Sequence, residues 1–270
     1  APADTAAASK QIVRARAVVE LGTFEFAAAH DADARRRATQ TLETGLAHAR
    51  EAGDARYAVW AMTTLSVLYR YQNDPARAGT LFEDALDIAR RSGDDGMLLM
   101  VTGNFGRLFS LLVRGEDDRA AGLAEEAIAL ARKLGNQEAE MNVSRVVFLT
   151  ALRRGDLDRV RQIVTEGIRL AQQSQLVSLL PPYVAGFAYL ATAEGQHQRA
   201  ARLMGAAMAH IARLASVPSE VEQATVFGPV QPSRDALGEQ RWQELMAAGA
   251  LLTLDEAIAE ALDEPGAGAE

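Results

Sequence analysis

The sequence predicts an all-α chain: a right-handed superhelix of about five antiparallel helix pairs, closed by a short helical cap at the C-terminal side. Three observations lead there. First, a motif returns: Ala-Arg-Glu-Ala-Gly-Asp from Ala49 comes back as Ala-Arg-Arg-Ser-Gly-Asp from Ala89 and Ala-Arg-Lys-Leu-Gly-Asn from Ala131. It fades into Ala-Gln-Gln-Ser-Gln from Ala171, with starting alanines 40, 42 and 40 residues apart. Second, apolar residues between these motifs recur at three- and four-residue steps, as on one face of a helix, and no β-branched alternating run argues for a sheet. Third, Asn73, Gly115, Gly155 and Gly195 fall at steps of 42, 40 and 40 residues, dividing each period into two helices.

The elements follow in order. The first pair spans about 9–52: a helix from Ser9 to about Ala29, a turn at His30-Asp31, and a second helix from Ala34 to Ala52. In the pair 55–92, Tyr57, Trp60, Ala61, Leu65, Leu68 and Tyr69 form one amphipathic face, and Ala78, Phe82, Ala85 and Ala89 the other. Gln72-Asn73-Asp74-Pro75 separates them, because Asn tolerates a left-handed end, Asp caps the next helix and Pro suits its first turn. Ser92-Gly93-Asp94 ends the pair in the same way. The pairs 95–134, 137–174 and 177–215 repeat the scheme. Ala78, Ala85, Ala120, Ala127, Ala200 and Ala207 are placed where neighbouring helices approach, with Leu65, Tyr69, Phe82, Phe105, Phe109, Phe148 and Phe187 filling between them. Regularity ends after Ala215. Residues 216–262 read as an atypical cap, with a helix starting at Val217-Pro218-Ser219-Glu220, a loop over Phe227–Pro232, and helices Ser233–Ala248 and Thr253–Leu262. Thr253-Leu254-Asp255-Glu256 has the capping-box pattern. Residues 263–270 read as a flexible tail or linker.

Composition narrows the function. Hydrophobic residues make up 49% of the 270, enough for a core. The formal charge of −8 sits in the tail: 216–270 carries 11 acids against two arginines, and the repeats are nearly neutral. Without a basic stripe to follow a phosphate backbone, direct nucleic-acid binding is not expected. No apolar run approaches the ~20 residues of a membrane span. The absence of cysteine rules out disulfides, thiolate metal sites and a cysteine nucleophile, and fits a cytoplasmic location. The start lacks both a signal-peptide pattern and an initiator Met, and the chain reads as a piece of a longer one. Arginine outnumbers lysine 26 to two (Lys10 and Lys133), a bias expected of a GC-rich bacterial genome.

Leu65-Ser66-Val67-Leu68-Tyr69, with Ala78, Phe82 and Ala85, resembles a tetratricopeptide repeat, in a variety longer than the standard ~34 residues and with Gly-Asp turns in place of the family's proline. Ala200-Ala201-Arg202-Leu203-Met204-Gly205-Ala206-Ala207, Leu237-Gly238-Glu239-Gln240-Arg241-Trp242, and Gly249 with Leu254-Asp255-Glu256-Ala257-Ile258, Ala261 and Leu262 are similar to the C-terminal end of AfsR-like and large LuxR-type regulators of actinobacterial type. Those proteins join a STAND-class nucleotide-binding ATPase to a helical repeat domain, some with a helix-turn-helix at one end. The resemblance implies an arm or sensor segment. The chain has no Gly-x-x-x-x-Gly-Lys-Ser/Thr phosphate loop of its own.

Catalytic signals are absent from the sequence. His30, His48, His197 and His210 show no metal-ligand spacing, no serine sits in a Gly-x-Ser-x-Gly elbow, and adjacent acids such as Asp94-Asp95 and Glu125-Glu126 point apart on a helix or cap its start. The expectation is therefore no catalytic residue, no metal and no cofactor. The resemblance places ligand contacts on the first helix of each pair, lining a concave wall: Trp60, Thr63 and Arg70, then Asn104 and Arg107, then Asn142 and Arg145, then Tyr183 and Tyr189. Arg70, Arg107 and Arg145 are expected to form a ladder able to grip carboxylate or phosphate groups. The function expected is a non-catalytic regulatory module that holds a protein or peptide, a neighbouring domain of the same full-length chain included. The alternative is a sensor enclosing a small-molecule or peptide inducer. Trp60 is expected to pack between repeats and Trp242 to anchor the cap.

Overall fold

Helix ends in the computed structural model fall where capping residues put them. Asp31, Asp54, Asp74, Asp94, Asn136 and Asp156 each accept, through the side chain, the amide proton three residues on. Each satisfies a donor that the first turn leaves without a partner. Asn73 takes a φ of 58°, and Gly93, Gly115, Gly155 and Gly195 take 67°, 75°, 74° and 74°, the left-handed ends that the turn residues foretell. The Thr253–Glu256 capping box is formed on both sides.

The structure describes residues 2–213 and 227–263, with side chains from residue 8 onward. Among these there are fourteen α-helices and no strand. The first hairpin is α1 (Pro2–Ala27) with α2 (Ala32–Glu51), and the second is α3 (Ala55–Tyr71) with α4 (Pro75–Ser92). Then come α5 (Asp95–Thr102), α6 (Phe105–Val113) and α7 (Asp117–Leu134). The pair α8 (Gln137–Arg153) and α9 (Leu157–Gln173) follows, then α10 (Leu180–Ala193) and α11 (His197–Arg213), and lastly α12 (Gln231–Leu237), α13 (Glu239–Ala250) and α14 (Leu254–Leu262). Two compact units make up the chain, Ala1–Arg107 and Leu108–Glu270, dividing inside α6. In the first, helices pack serially: α2 on α1 and α3, α4 on α3, and α5 on α3 and α4. In the second, α8 lies on α7 and α9, α10 on α9 and α11, and α13 and α14 close over α11.

Four sequence expectations change. The first helix of the third pair is not continuous: α5 and α6 meet at Gly103-Asn104 with a bend of 52°. The first helix begins at Pro2, ahead of the expected Ser9. Phe227–Pro232 is not a loop, since a 3₁₀ turn over Gly228–Val230 leads straight into α12. The expected helix Ser233–Ala248 is interrupted at Gly238, whose φ of 75° and ψ of 155° no helix admits. The helix foreseen at Val217–Glu220 and the tail after Asp263 lie outside the described residues. No single helix among the described residues is long and apolar enough to cross a membrane.

Small residues set how closely the helices approach. Ala78, Ala85, Ala120, Ala127, Ala200 and Ala207 are all buried, as the sequence places them. The cap is held by the tightest crossing. A Cβ on Gly205 would stand 2.1 Å from the Met246 carbonyl oxygen, and one on Gly249 would stand 1.9 Å from that of Arg202. Trp242 is buried beside this crossing, on α13. Arg202 grips Glu260 through Nε and Nη2 at 2.9 and 2.8 Å, and Arg199 donates to the carbonyls of Glu260, Ala261 and Asp263 at the end of α14. Gly205→Ala or Gly249→Ala therefore forces two backbones apart. Either is expected to cost roughly 2–4 kcal/mol in denaturant titration, the range of severe overpacking. Gly122, exposed within α7 with open space at its Cβ position, gives the control: Gly122→Ala is expected to stabilise by up to ~1 kcal/mol.

Candidate functional site

The nine wall residues do not share one environment. In the first unit, Thr63 is wholly buried and donates to its own helix at the Trp60 carbonyl. That corrects its reading as a wall contact, because no ligand reaches it. Trp60 is half-buried, its ring 5.2 Å from that of Tyr57.

Arg70, Asn104 and Arg107 meet around the break between α5 and α6. The end of α5 leaves the carbonyls of Met100 and Val101 without the amides that an unbroken helix would bring from Asn104 and Phe105. The Arg107 guanidinium donates to both, at 3.2 Å for Val101, and Arg70 donates to the Gly106 carbonyl. Gly103 belongs to the same device, since a Cβ there would stand 2.6 Å from the Leu99 carbonyl oxygen. Asn104 is exposed at the joint, not on a helix face. Burial, aided by the like charge of Arg70, pulls the Arg107 guanidinium below its ordinary value, to about 9. It stays cationic at neutral pH, a charge held out of water against oxygen dipoles. Arg107 thus closes the helix break, and Arg70 binds the first turn of α6 beside it.

In the second unit, Tyr183 and Tyr189 lie in the core, and the half-buried Arg145 is near both. Tyr183 and Tyr189 are buried, which removes them from an open wall. The Tyr183 hydroxyl donates to the Met141 carbonyl at 2.7 Å and lies 2.7 Å from Ser144 Oγ. Phe148 packs against both tyrosine rings, at 6.2 and 6.4 Å between centroids. Gly167 makes room, because a Cβ there would stand 2.0 Å from Tyr183 Cε1. Burial lowers the Arg145 guanidinium to about 10, while the two tyrosines pull the other way. Burial raises Tyr183 to about 12, with Ser144 and Arg145 opposing, and raises Tyr189 further for the same reason. Asn142 is half-buried on α8.

Of the nine, Tyr183 lines a recess. The second unit has a recess of about 270 Å³ between α7 and α9, floored by α8. Its apolar lining includes Ile128, Met141, Val147, Ile163 and Leu170, Ser144 and Tyr183 also line it, and Glu125, Arg132, Glu140, Arg159 and Glu166 add charge. Arg132 bonds Glu140 at 2.7 Å, and Arg169 holds Glu166 below the usual carboxylate range. The first unit has a recess of about 380 Å³ in the same place, between α2 and α4 on α3, lined by Ala49, Ala58, Met62 and Ile88 and rimmed by Arg50, Asp54, Asp84, Asp87 and Arg91. Arg50, Asp84 and Ile88 of one answer to Arg132, Glu166 and Leu170 of the other, two repeats later. That echo was present in the sequence, on the second helices and not the first.

Two of the histidines have polar contacts. His197 Nδ1 lies 3.0 Å from Ser233 Oγ, which donates to Thr192, and His210 Nε2 lies 3.2 Å from the Leu252 carbonyl. Among the described residues no three His, Asp or Glu side chains gather as a metal site. Compared with known proteins, the sequence matches no family model and no curated protein.

Two tests follow. Arg107→Glu sets a carboxylate against two carbonyl oxygens. It is expected to speed amide exchange over 100–106 and to lower stability by roughly 1–3 kcal/mol, the cost of stranding buried acceptors. The buried tyrosines set the alkaline limit. Their folded values lie above the unfolded value of 10, so the unfolded chain loses its protons first. The stability they contribute is whole below pH ~10 and is lost as pH rises toward ~12. Tyr183→Phe is expected to flatten that decline in thermal melts between those values, at a cost near 1 kcal/mol at neutral pH from the lost hydrogen bonds.

Proposed function

We propose that this chain is a non-catalytic regulatory module of tetratricopeptide type that binds a protein or peptide, serving as the arm or sensor of a multidomain bacterial transcription regulator or signalling ATPase in the cytoplasm. The observation that carries the reading is the pair of equivalent recesses. Each has a narrow apolar floor between two second helices and a rim of both charges. An amphipathic helix fits this lining: its apolar residues enter a recess and its charged neighbours meet the rim. The sizes weigh in the same direction. About 270 and 380 Å³ are at or near the low edge of small-ligand pockets, which run from ~300 to 1,000 Å³. The regulatory setting rests on the resemblance of the 200–262 segment to the ends of AfsR-like and large LuxR-type proteins.

An inducer sensor is the second reading, and Ser144 and Tyr183 in the lining of the recess of about 270 Å³ favour it. Phage-displayed helical peptides selected on the folded protein separate the two. Binders with apolar residues at i and i+4 are expected, and Ile88→Glu or Leu170→Glu is expected to weaken them at least tenfold, ~1.4 kcal/mol, with an unchanged circular dichroism spectrum. Selected peptides indifferent to both substitutions would remove the recesses as the binding surface.

A further inference from the structure

The outer face of α1 carries an apolar stripe whose register names its occupant. Val13, Leu21 and Phe24 are 65%, 53% and 73% exposed, and Ala17 and Ala28 are exposed on the same face as Leu21 and Phe24. Large apolar side chains are unusual at such exposure in a row.

The first two hairpins superpose at an offset of 40 residues. Leu42 and Phe82, Leu46 and Leu86, and Ala49 and Ala89 are buried equivalents on the second helices. Gly22 lies on Leu42 and Gly45 on Val19, while Ser66 reaches the Ala78 carbonyl, so the first helices keep the same offset. The ion pair Arg16–Asp54 at 2.8 Å returns as Arg56–Asp94 at 3.1 Å. In this register Ala17, Leu21, Phe24 and Ala28 of α1 stand where α3 has Tyr57, Ala61, Thr64 and Leu68.

On α3 that face is covered. Ala61, Thr64 and Leu68 are buried, and the Tyr57 hydroxyl donates to Glu20 of α1 at 2.7 Å, with Arg16 over its ring. It is the face by which the second hairpin lies on the first, alongside Tyr69 bonded to Glu43 and Gln72 bonded to Thr39 of α2. The stripe on α1 is therefore the equivalent face, exposed here. A helix face that ends a stack needs a polar outer surface, and here the positions hold Leu and Phe.

We propose that α1 seats a further α-helical hairpin of this same repeat type, laid on Ala17, Leu21, Phe24 and Ala28 as the first hairpin lies on α3. This goes beyond partner binding in the recesses, which involve none of these residues, and the two stand or fall separately.

The test uses the chain's own first repeat as probe. A copy of residues 15–54 is joined directly ahead of Ala15, so that the Gly53-Asp54 turn leads into α1 as it leads into α3. The extended chain is expected to melt cooperatively at a midpoint at least ~3 °C higher, the shift of about 1 kcal/mol in a chain of this size, with the added hairpin resistant to protease. Leu21→Glu with Phe24→Glu is expected to abolish that gain while leaving the midpoint of the unextended chain unchanged. An added hairpin that is digested freely, or a gain that survives the double substitution, overturns the proposal. So does sedimentation of the unextended chain as a dimer that the double substitution dissolves, which would give the face to a second copy.

Discussion

Close approach of helices at small residues is the constraint on which the rest of this structure depends. Two helices meet backbone to backbone only where neither carries a side chain of any size. The second helices meet this demand with alanine at Ala78, Ala85 and Ala89, then Ala120, Ala127 and Ala131, then Ala200 and Ala207, all buried. The cap meets it with Gly205 and Gly249, which leave each other's helices no room for a methyl group. Where volume is removed on one helix, a neighbour restores it. Gly167 stands at the repeat position of Ala85 and Ala127, and the ring of Tyr183 occupies the space.

Charge serves the same architecture by repairing its interruptions. A broken helix exposes carbonyls at one end, and a guanidinium is the side chain best suited to several oxygen acceptors at once. Arg107 at the α5 end and Arg199 at the α14 end do the same work in the two units. An arginine on a first helix is thus no measure of an anion-binding wall. The carbonyls of a helix end compete for it, and at Arg107 those six and seven residues back take it.

What the packing leaves over is also repeated. When second helices stand apart over a first helix, a furrow forms whose floor is apolar because the first helix is a core element, and whose rim is charged because the second helices face water. The recess in each unit is a consequence of its hairpin stack.

Much of this could be read from residue order. The repeat period, the turn at each Gly or Asn, the Asp caps and the Thr253–Glu256 box are local, involving groups within four residues of one another, and local chemistry settles them before any long-range contact exists. The break at Gly103-Asn104 was written there too, as a glycine and an asparagine in mid-helix, but the 40-residue period masked it. The candidate site was less legible. Resemblance to repeats whose first helix lines a concave face places Thr63, Tyr183 and Tyr189 on a wall. All three are buried instead, with Thr63 donating to the Trp60 carbonyl and Tyr183 to the Met141 carbonyl. Residue order alone established a helical hairpin array with its stops and caps. Long-range packing chose which side of each helix meets water and whether a given arginine serves a carbonyl or a partner, because side-chain burial is settled between helices distant in the chain, by volumes such as Gly167 and Tyr183 that have to fit together.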